Sequence, residues 1–290
     1  MPDLVGIAIL LSTAALLLCG ILTVILAREA RRPPRHTAGY AVARSISVDP
    51  EDAGWAHEVW TLDRPGADLP VWDIEGRAAD GPTMVMLHGW GMSRVDMLER
   101  AGFWRDRSRR LVLLDARGHG DAGGLSPLGA GEGEDVADLL ERLGENDVVL
   151  IGHSMGSTVA LEAASLNGTA DRVAGLILFG PYADLPGSIR SRLRHQGYPS
   201  WPMLELAMLW FRTTGLRFPS IPTAASAVPC PVLIIHGEHD PICSPADAAR
   251  LATLIPDARL WSVEGGGHLD AREIDEERHD REVDAFLSRL

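Results

Sequence analysis

The apolar run Val148-Val149-Leu150-Ile151 breaks at Gly152-His153-Ser154-Met155-Gly156 and passes directly into helix-forming residues. A buried strand that feeds a helix at once must turn sharply, here at Ser154, and small residues two places to either side are what such a turn tolerates. Gly152 and Gly156 supply them. The turn lifts the serine hydroxyl clear of the sheet, and the first N–H groups of the new helix, which lack internal partners, point at any oxyanion formed beside it. That is a setting for a nucleophile. The five-residue spacing alone also arises by chance; the strand before it and the helix after it give it weight.

The same rhythm extends along the chain. Apolar or alternating runs at 57–62, 69–74, 83–87, 110–115, 148–152, 173–179, 232–236 and 258–263 are expected strands. Helical spacing is expected at 134–143, 155–166 and 246–254, with a closing acidic helix over 270–290. Continuous apolar strands separated by amphipathic helices predict an α/β fold, a mostly parallel sheet of about eight strands with helices on both faces. A hydrophobic content of 46% is ample for such a core. No internal repeat interrupts it.

Residues 4–27 contain no charge. As a helix they would reach ~36 Å, enough to cross a ~30 Å hydrocarbon layer. The segment is expected to be a transmembrane anchor (residues 1–30 with the basic flank); a cleaved signal would want a basic start and a small-x-small exit, and the start is Met-Pro-Asp. Arg28, Arg31, Arg32 and Arg35 follow the span, whereas the other side offers Asp3 and the chain amine, so the positive-inside rule predicts a single-pass cell-membrane protein with its bulk in the cytoplasm. Residues 31–54, with Pro33, Pro34 and Pro50, read as a linker that lets a domain at 55–290 stand off the bilayer. A net charge of −13 without a single lysine argues against nucleic acid as a partner. Cys19, Cys230 and Cys243 form neither a disulfide framework nor a paired metal knuckle, which fits a reducing compartment.

Between Pro181 and Pro231 the alternation stops. This stretch holds a basic patch from Arg190 to His195 and an apolar run from Met203 to Phe211, and it is too long for an idle loop. Residues 183–230 therefore read as an insertion that caps a pocket, touches the bilayer, or closes the core as an ordinary helix.

A serine hydroxyl needs a base to take its proton, and the base needs an orienting carboxylate. In a parallel sheet the loops after the strand ends share one rim, so distant residues can converge there. Asp240 follows the strand at 232–236, and His268 follows the last strand. His88, His119, His153, His236 and His239 also lie at strand ends or loops, yet none follows the last strand. His236, His239 and Asp240 cross a strand end rather than sharing a helical face, which makes a metal site there a poor expectation.

Four segments, His88-Gly89-Trp90-Gly91, Gly152-His153-Ser154-Met155-Gly156, Gly237-Glu238-His239-Asp240 and Gly267-His268, resemble the α/β-hydrolase fold superfamily from about Trp55 to the C-terminus. The resemblance implies Ser154 as nucleophile, His268 as general base and then acid, Asp240 as the group holding the imidazole, and the backbone N–H groups of Trp90 and Met155 as an oxyanion hole. It also implies a helical cap at the insertion and no metal or cofactor; some members of the family draw the acid from the strand before the cap, where Asp184 would serve instead of Asp240. Ser157 departs from the glycine often found there in the family, which bears on helix packing more than on chemistry. The expected activity is that of a serine hydrolase of the esterase/lipase kind, acting on a small, hydrophobic carboxylic ester through an acyl-enzyme. Amides, thioesters, acyl transfer to another acceptor, or a noncatalytic ligand-binding role remain alternatives, because fold does not fix substrate.

Overall fold

A computed structural model describes residues 4–290. Asp3 and the chain amine, which entered the charge asymmetry of the anchor, lie outside the described residues. The chain opens with helix α1 (Leu4–Ala30) and a short helix α2 (Ala38–Arg44). Strands β1 (His57–Arg64), β2 (Ala67–Glu75) and β3 (Thr83–Leu87) lead to α3 (Arg94–Arg105), β4 (Arg110–Leu114) and α4 (Glu132–Leu143). The central β5 (Val148–His153), α5 (Met155–Ser165) and β6 (Val173–Phe179) follow. The insertion contributes α6 (Leu185–His195), α7 (Met203–Thr213) and α8 (Ile221–Ala227). Finally β7 (Val232–Gly237), α9 (Pro245–Leu254), β8 (Ala258–Val263), α10 (Ala271–Ile274) and α11 (Glu276–Leu287) complete the chain.

The eight strands form one sheet in the order β1-β2-β4-β3-β5-β6-β7-β8. The β1–β2 and β2–β4 pairs are antiparallel; all pairs from β4 to β8 are parallel. Side chains alternate between two buried layers, as the two-residue period of a strand requires. Val85, Leu87, Leu150 and Leu178 face α4, α5, α8 and α9, whereas Met84, Met86, Ile151 and Ile177 face α3 and α11. Both faces of the central strands are thus covered, and β3 to β7 read as apolar runs for that reason.

Helix α3 is a structural element that the sequence reading passed over. Ser93 and Asp96 form a reciprocal cap at its start, and its first N–H is anchored by Asp115 Oδ1 at 2.8 Å. The closing acidic segment is two helices rather than one, because Asp275 ends α10 and caps α11 by accepting from the Arg278 N–H at 3.0 Å.

Residues 31–54 do not stand off as a free linker. Arg31 and Ser126 exchange two hydrogen bonds, at 3.0 and 3.2 Å. Arg35 donates to the carbonyls of Gly120 and Ala122, and His36 meets Asp96 at 2.9 Å. Two of the four arginines that suggested an orientation therefore also serve as contacts to the folded domain.

Helix α1 docks too, at its end only. Thr23 and Ala27 are its buried residues, and Ala27 packs in a separate apolar cluster with Leu204, Ala207, Met208 and Phe211 of α7. The Trp90 Nε1–H donates to the Ala30 carbonyl at 2.8 Å, fixing the last turn of α1 over the loop after β3.

Candidate active site

Ser154 joins β5 to α5 with φ +53° and ψ −113°, a conformation that a residue with a Cβ adopts only under local strain. Close packing imposes it. A Cβ on Gly156 would lie 2.1 Å from the Leu87 carbonyl oxygen, and one on Gly152 would lie 2.4 Å from Ser157 Cα, so only hydrogen fits at either position. Ser157 takes the place of the glycine common in related elbows without harm, because its hydroxyl donates within the turn, with the Gly152 and Phe179 carbonyls at 2.8 and 3.0 Å.

Asp240 and His268 come together at the neighbouring strand ends. His268 Nδ1 lies 2.7 Å from Asp240 Oδ2, and Asp240 Oδ1 accepts from the backbone N–H groups of Ile242 and Cys243 at 2.8 and 2.9 Å. Burial pushes the Asp240 carboxyl up, but the bond to His268 and the two N–H donors outweigh it, so it sits below its ordinary value. An ionised Asp240 can accept a hydrogen bond from the His268 Nδ1 side. The imidazole lies against Gly180, where a Cβ would be 3.2 Å from Cε1 and Nδ1. Ser154 donates its N–H to the Phe179 carbonyl at 2.8 Å, so serine and imidazole flank one peptide at the end of β6.

The Cys243 thiol is the neighbour that sequence reasoning missed. Its sulfur forms one group with the donor atoms of Asp240 and His268, all within 4.8 Å of one another, and it also contacts the hydroxyls of Ser154 and Ser188. Burial pushes the thiol up to about 12, so it is a neutral, inert filler beside the hydroxyl rather than a competing nucleophile. Those three donors are the group with metal-ligand proximity among the described residues. The Asp240–His268 hydrogen bond and the protonated thiol already occupy them.

The other candidates lie elsewhere. Asp184 caps α6, accepting from the Gly187 N–H at 2.8 Å. Asp270 accepts from the Gly267 N–H at 2.8 Å and shapes the turn that presents His268. His153 is buried, stacked on Phe179 and pushed down to about 3 by that burial. His88 accepts from the Ala116 N–H at 2.9 Å, with His119 packed on its edge and pushed down to about 3, chiefly by burial. His236 meets the Cys243 carbonyl at 3.0 Å and lies 3.6 Å from Asp240, behind the carboxylate, while His239 is exposed.

Ser154, Met155 and Trp90 share a cavity of about 500 Å³. Met155 is the first residue of α5, so its N–H has no partner within the helix. Apolar side chains of α6 form one wall. Helix α1 also lines the cavity, through Leu22, Ile25 and Leu26.

A strained serine at a strand-to-helix turn, on a mostly parallel sheet with a helical insertion, defines an α/β hydrolase. The alpha/beta hydrolase family matches residues 84–284, and the chain belongs to that family. Among curated relatives, it is 27% identical over 202 residues to the lysophosphatidylserine lipase ABHD12 of Rattus norvegicus, covering 63% of this chain and 48% of that one. The chain spans only about a third to a half of the length of the first curated relatives it matches. Among solved structures, a Pyrococcus furiosus esterase superposes with a TM-score of 0.71 at 19% identity, covering 90% of this chain and 98% of that one. A membrane phospholipase A superposes with a TM-score of 0.64 at 20% identity over 98% of this chain and 97% of that one. At these identities the superpositions speak for the fold alone.

Proposed function

We propose that the protein is a membrane-anchored serine hydrolase that cleaves a carboxylic ester with a long apolar part. Ser154 Oγ attacks the ester carbonyl and gives its proton to His268 Nε2, while Asp240 holds the imidazolium. The oxyanion is received by the N–H groups of Trp90 and Met155. The C–O bond to the alcohol then breaks, and His268 returns the proton to the departing oxygen. Water repeats the sequence on the acyl-enzyme, releasing the acid and restoring Ser154.

The observation that carries this reading is the cavity lined both by the serine elbow and by the end of α1. From Leu4 to Leu22, helix α1 reaches ~28 Å, close to the ~30 Å hydrocarbon thickness, and burial begins at Thr23. In this reading α1 anchors the protein with its bulk in the cytoplasm, and the cavity opens at the membrane surface. An acyl chain can then slide from the bilayer along Leu22 and Ile25 without crossing water. The cap supports the same placement: Trp201 is 75% exposed and Leu209 57%, with Tyr198 and Trp210 also outward. Aromatic and apolar side chains on a face adjoining a membrane helix suit the interfacial layer.

Labelling of the full-length protein by a fluorophosphonate, abolished in Ser154→Ala, tests the chemistry. A panel of esters of graded acyl length tests the substrate class, with kcat/KM expected to rise with chain length. Labelling that persists in Ser154→Ala, or equal turnover of acetyl and long-chain esters, would contradict the proposal.

A further inference from the structure

The basic patch of α6 is not uniform. Arg190 pairs with Glu205 at 3.0 Å across the cap, and Arg194 and His195 are exposed to solvent. Arg192 instead lines the cavity that contains Ser154. Its guanidinium lies over the Trp90 ring, 5.1 Å from the centroid, and no carboxylate pairs with it among the described residues. Burial depresses its pKa, against the attraction of the Asp240 carboxylate. An arginine nevertheless remains charged. A partly buried cation on the wall of a largely apolar cavity, with no carboxylate in ion-pair contact, is costly, and the stacking on Trp90 offsets only part of that cost.

Arg192 and Ser154 line the same cavity, so an anionic group on a bound ester can face the guanidinium while the ester carbonyl faces the serine. A planar guanidinium with several donors suits the oxygens of a phosphate or carboxylate.

We propose that Arg192 is a specificity-determining residue that binds an anionic group on the alcohol side of the ester, so that acidic amphiphiles are preferred over neutral ones. This rests on the ester-hydrolase reading above. A monoacylglycerol phosphate carries the chemistry required: an apolar acyl chain for the α1 wall, an ester for Ser154, and a phosphate a few bonds away for Arg192.

The test uses the full chain in a neutral detergent, with 1-acylglycerol 3-phosphate and 1-acylglycerol of the same acyl chain as paired substrates. The quantity read is the ratio of their kcat/KM values. Wild type is expected to favour the phosphate at least tenfold. Arg192→Gln should collapse the ratio by about ten- to a hundredfold through KM rather than kcat, Arg192→Lys should restore part of it, and Arg194→Gln should leave it in place. A wild-type ratio near one, a ratio unchanged in Arg192→Gln, or the same loss in Arg194→Gln overturns the proposal. If Arg192 serves the released fatty acid instead, the variant will alter inhibition by added fatty acid while leaving the ratio intact, which also overturns it. Failure of the hydrolase reading is distinguishable: wild type would then neither take the fluorophosphonate label nor hydrolyse either substrate.

Discussion

Glu132, at the start of α4, is fully enclosed beneath the N-terminal turn of α5, sharing a small void with Met155 and Gly156. Burial, reinforced by the nearby Asp135 and Glu162 carboxylates, pushes its carboxyl from an ordinary 4.5 up to about 8, although the Gly129 N–H bond at 2.8 Å pulls the other way. The folded protein therefore keeps Glu132 neutral at pH 7, while the unfolded chain ionises it. Below pH 4.5 both states are protonated and the full stability is present. As the pH rises toward 8, the unfolded state gives up its proton first, and stability falls by about 1.4 kcal/mol per pH unit, roughly 4–5 kcal/mol in all. Glu132→Gln cannot ionise and keeps an oxygen for Gly129. Thermal unfolding of the full-length protein in mild detergent should show the variant within a degree or two of wild type near pH 4.5. Above pH 8 the variant should melt on the order of 10 °C higher. Other groups titrate alike in both proteins and cancel in the difference. A difference in melting temperature that stays flat from pH 4.5 to 9 would show that Glu132 is not held neutral.

Asp240→Asn replaces Oδ2, the acceptor for His268 Nδ1, with a donor and favours the wrong tautomer; kcat on a soluble ester should fall about 10⁴-fold with the circular dichroism spectrum unchanged. Gly156→Ala sets a methyl 2.1 Å from the Leu87 carbonyl, so thermal melting should show a loss of more than about 3 kcal/mol, whereas Gly39→Ala, with its nearest neighbour at 3.9 Å, should be neutral within about 0.5–1 kcal/mol. Trp90→Phe removes the donor to the Ala30 carbonyl, which should cost about 1 kcal/mol and speed amide exchange in the last turn of α1.

What the sequence made legible follows from what its patterns encode. The central strand runs are apolar because both sheet faces are covered there, and the edge strands alternate, so all eight strands were readable; Ser154, Asp240 and His268 stood out as residues following β5, β7 and β8, and the structure brings Asp240 and His268 into hydrogen-bond contact. Helix α3 escaped because its apolar positions are interrupted by Asp96, Glu99 and Arg100, and only the Ser93–Asp96 cap marks it. Cys243 carries no pattern at all: it reaches Ser154 and His268 only because the turn after Asp240 folds back under the carboxylate. Proline content made 31–54 look like a spacer, but Arg31 and Arg35 find partners on the loop after β4 and His36 in the first turn of α3, some sixty to ninety-five residues away, a complementarity with no local signature.

Helix α1 shows the limit most clearly. It is apolar all round, so periodicity assigns it no docking face. Its buried positions are the small residues Thr23 and Ala27, one turn apart, with the Thr23 hydroxyl returned to the Cys19 carbonyl at 2.8 Å. Small side chains let α7 approach closely, and the bulkier Leu22, Ile25 and Leu26 are thereby turned toward the cavity. A segment chosen only to satisfy lipid would need no such arrangement of sizes in its last two turns. The end of α1 is consequently part of the cavity wall, and under the proposed function replacing the helix with an unrelated apolar one should preserve membrane attachment while lowering kcat/KM for long-chain esters more than for short ones.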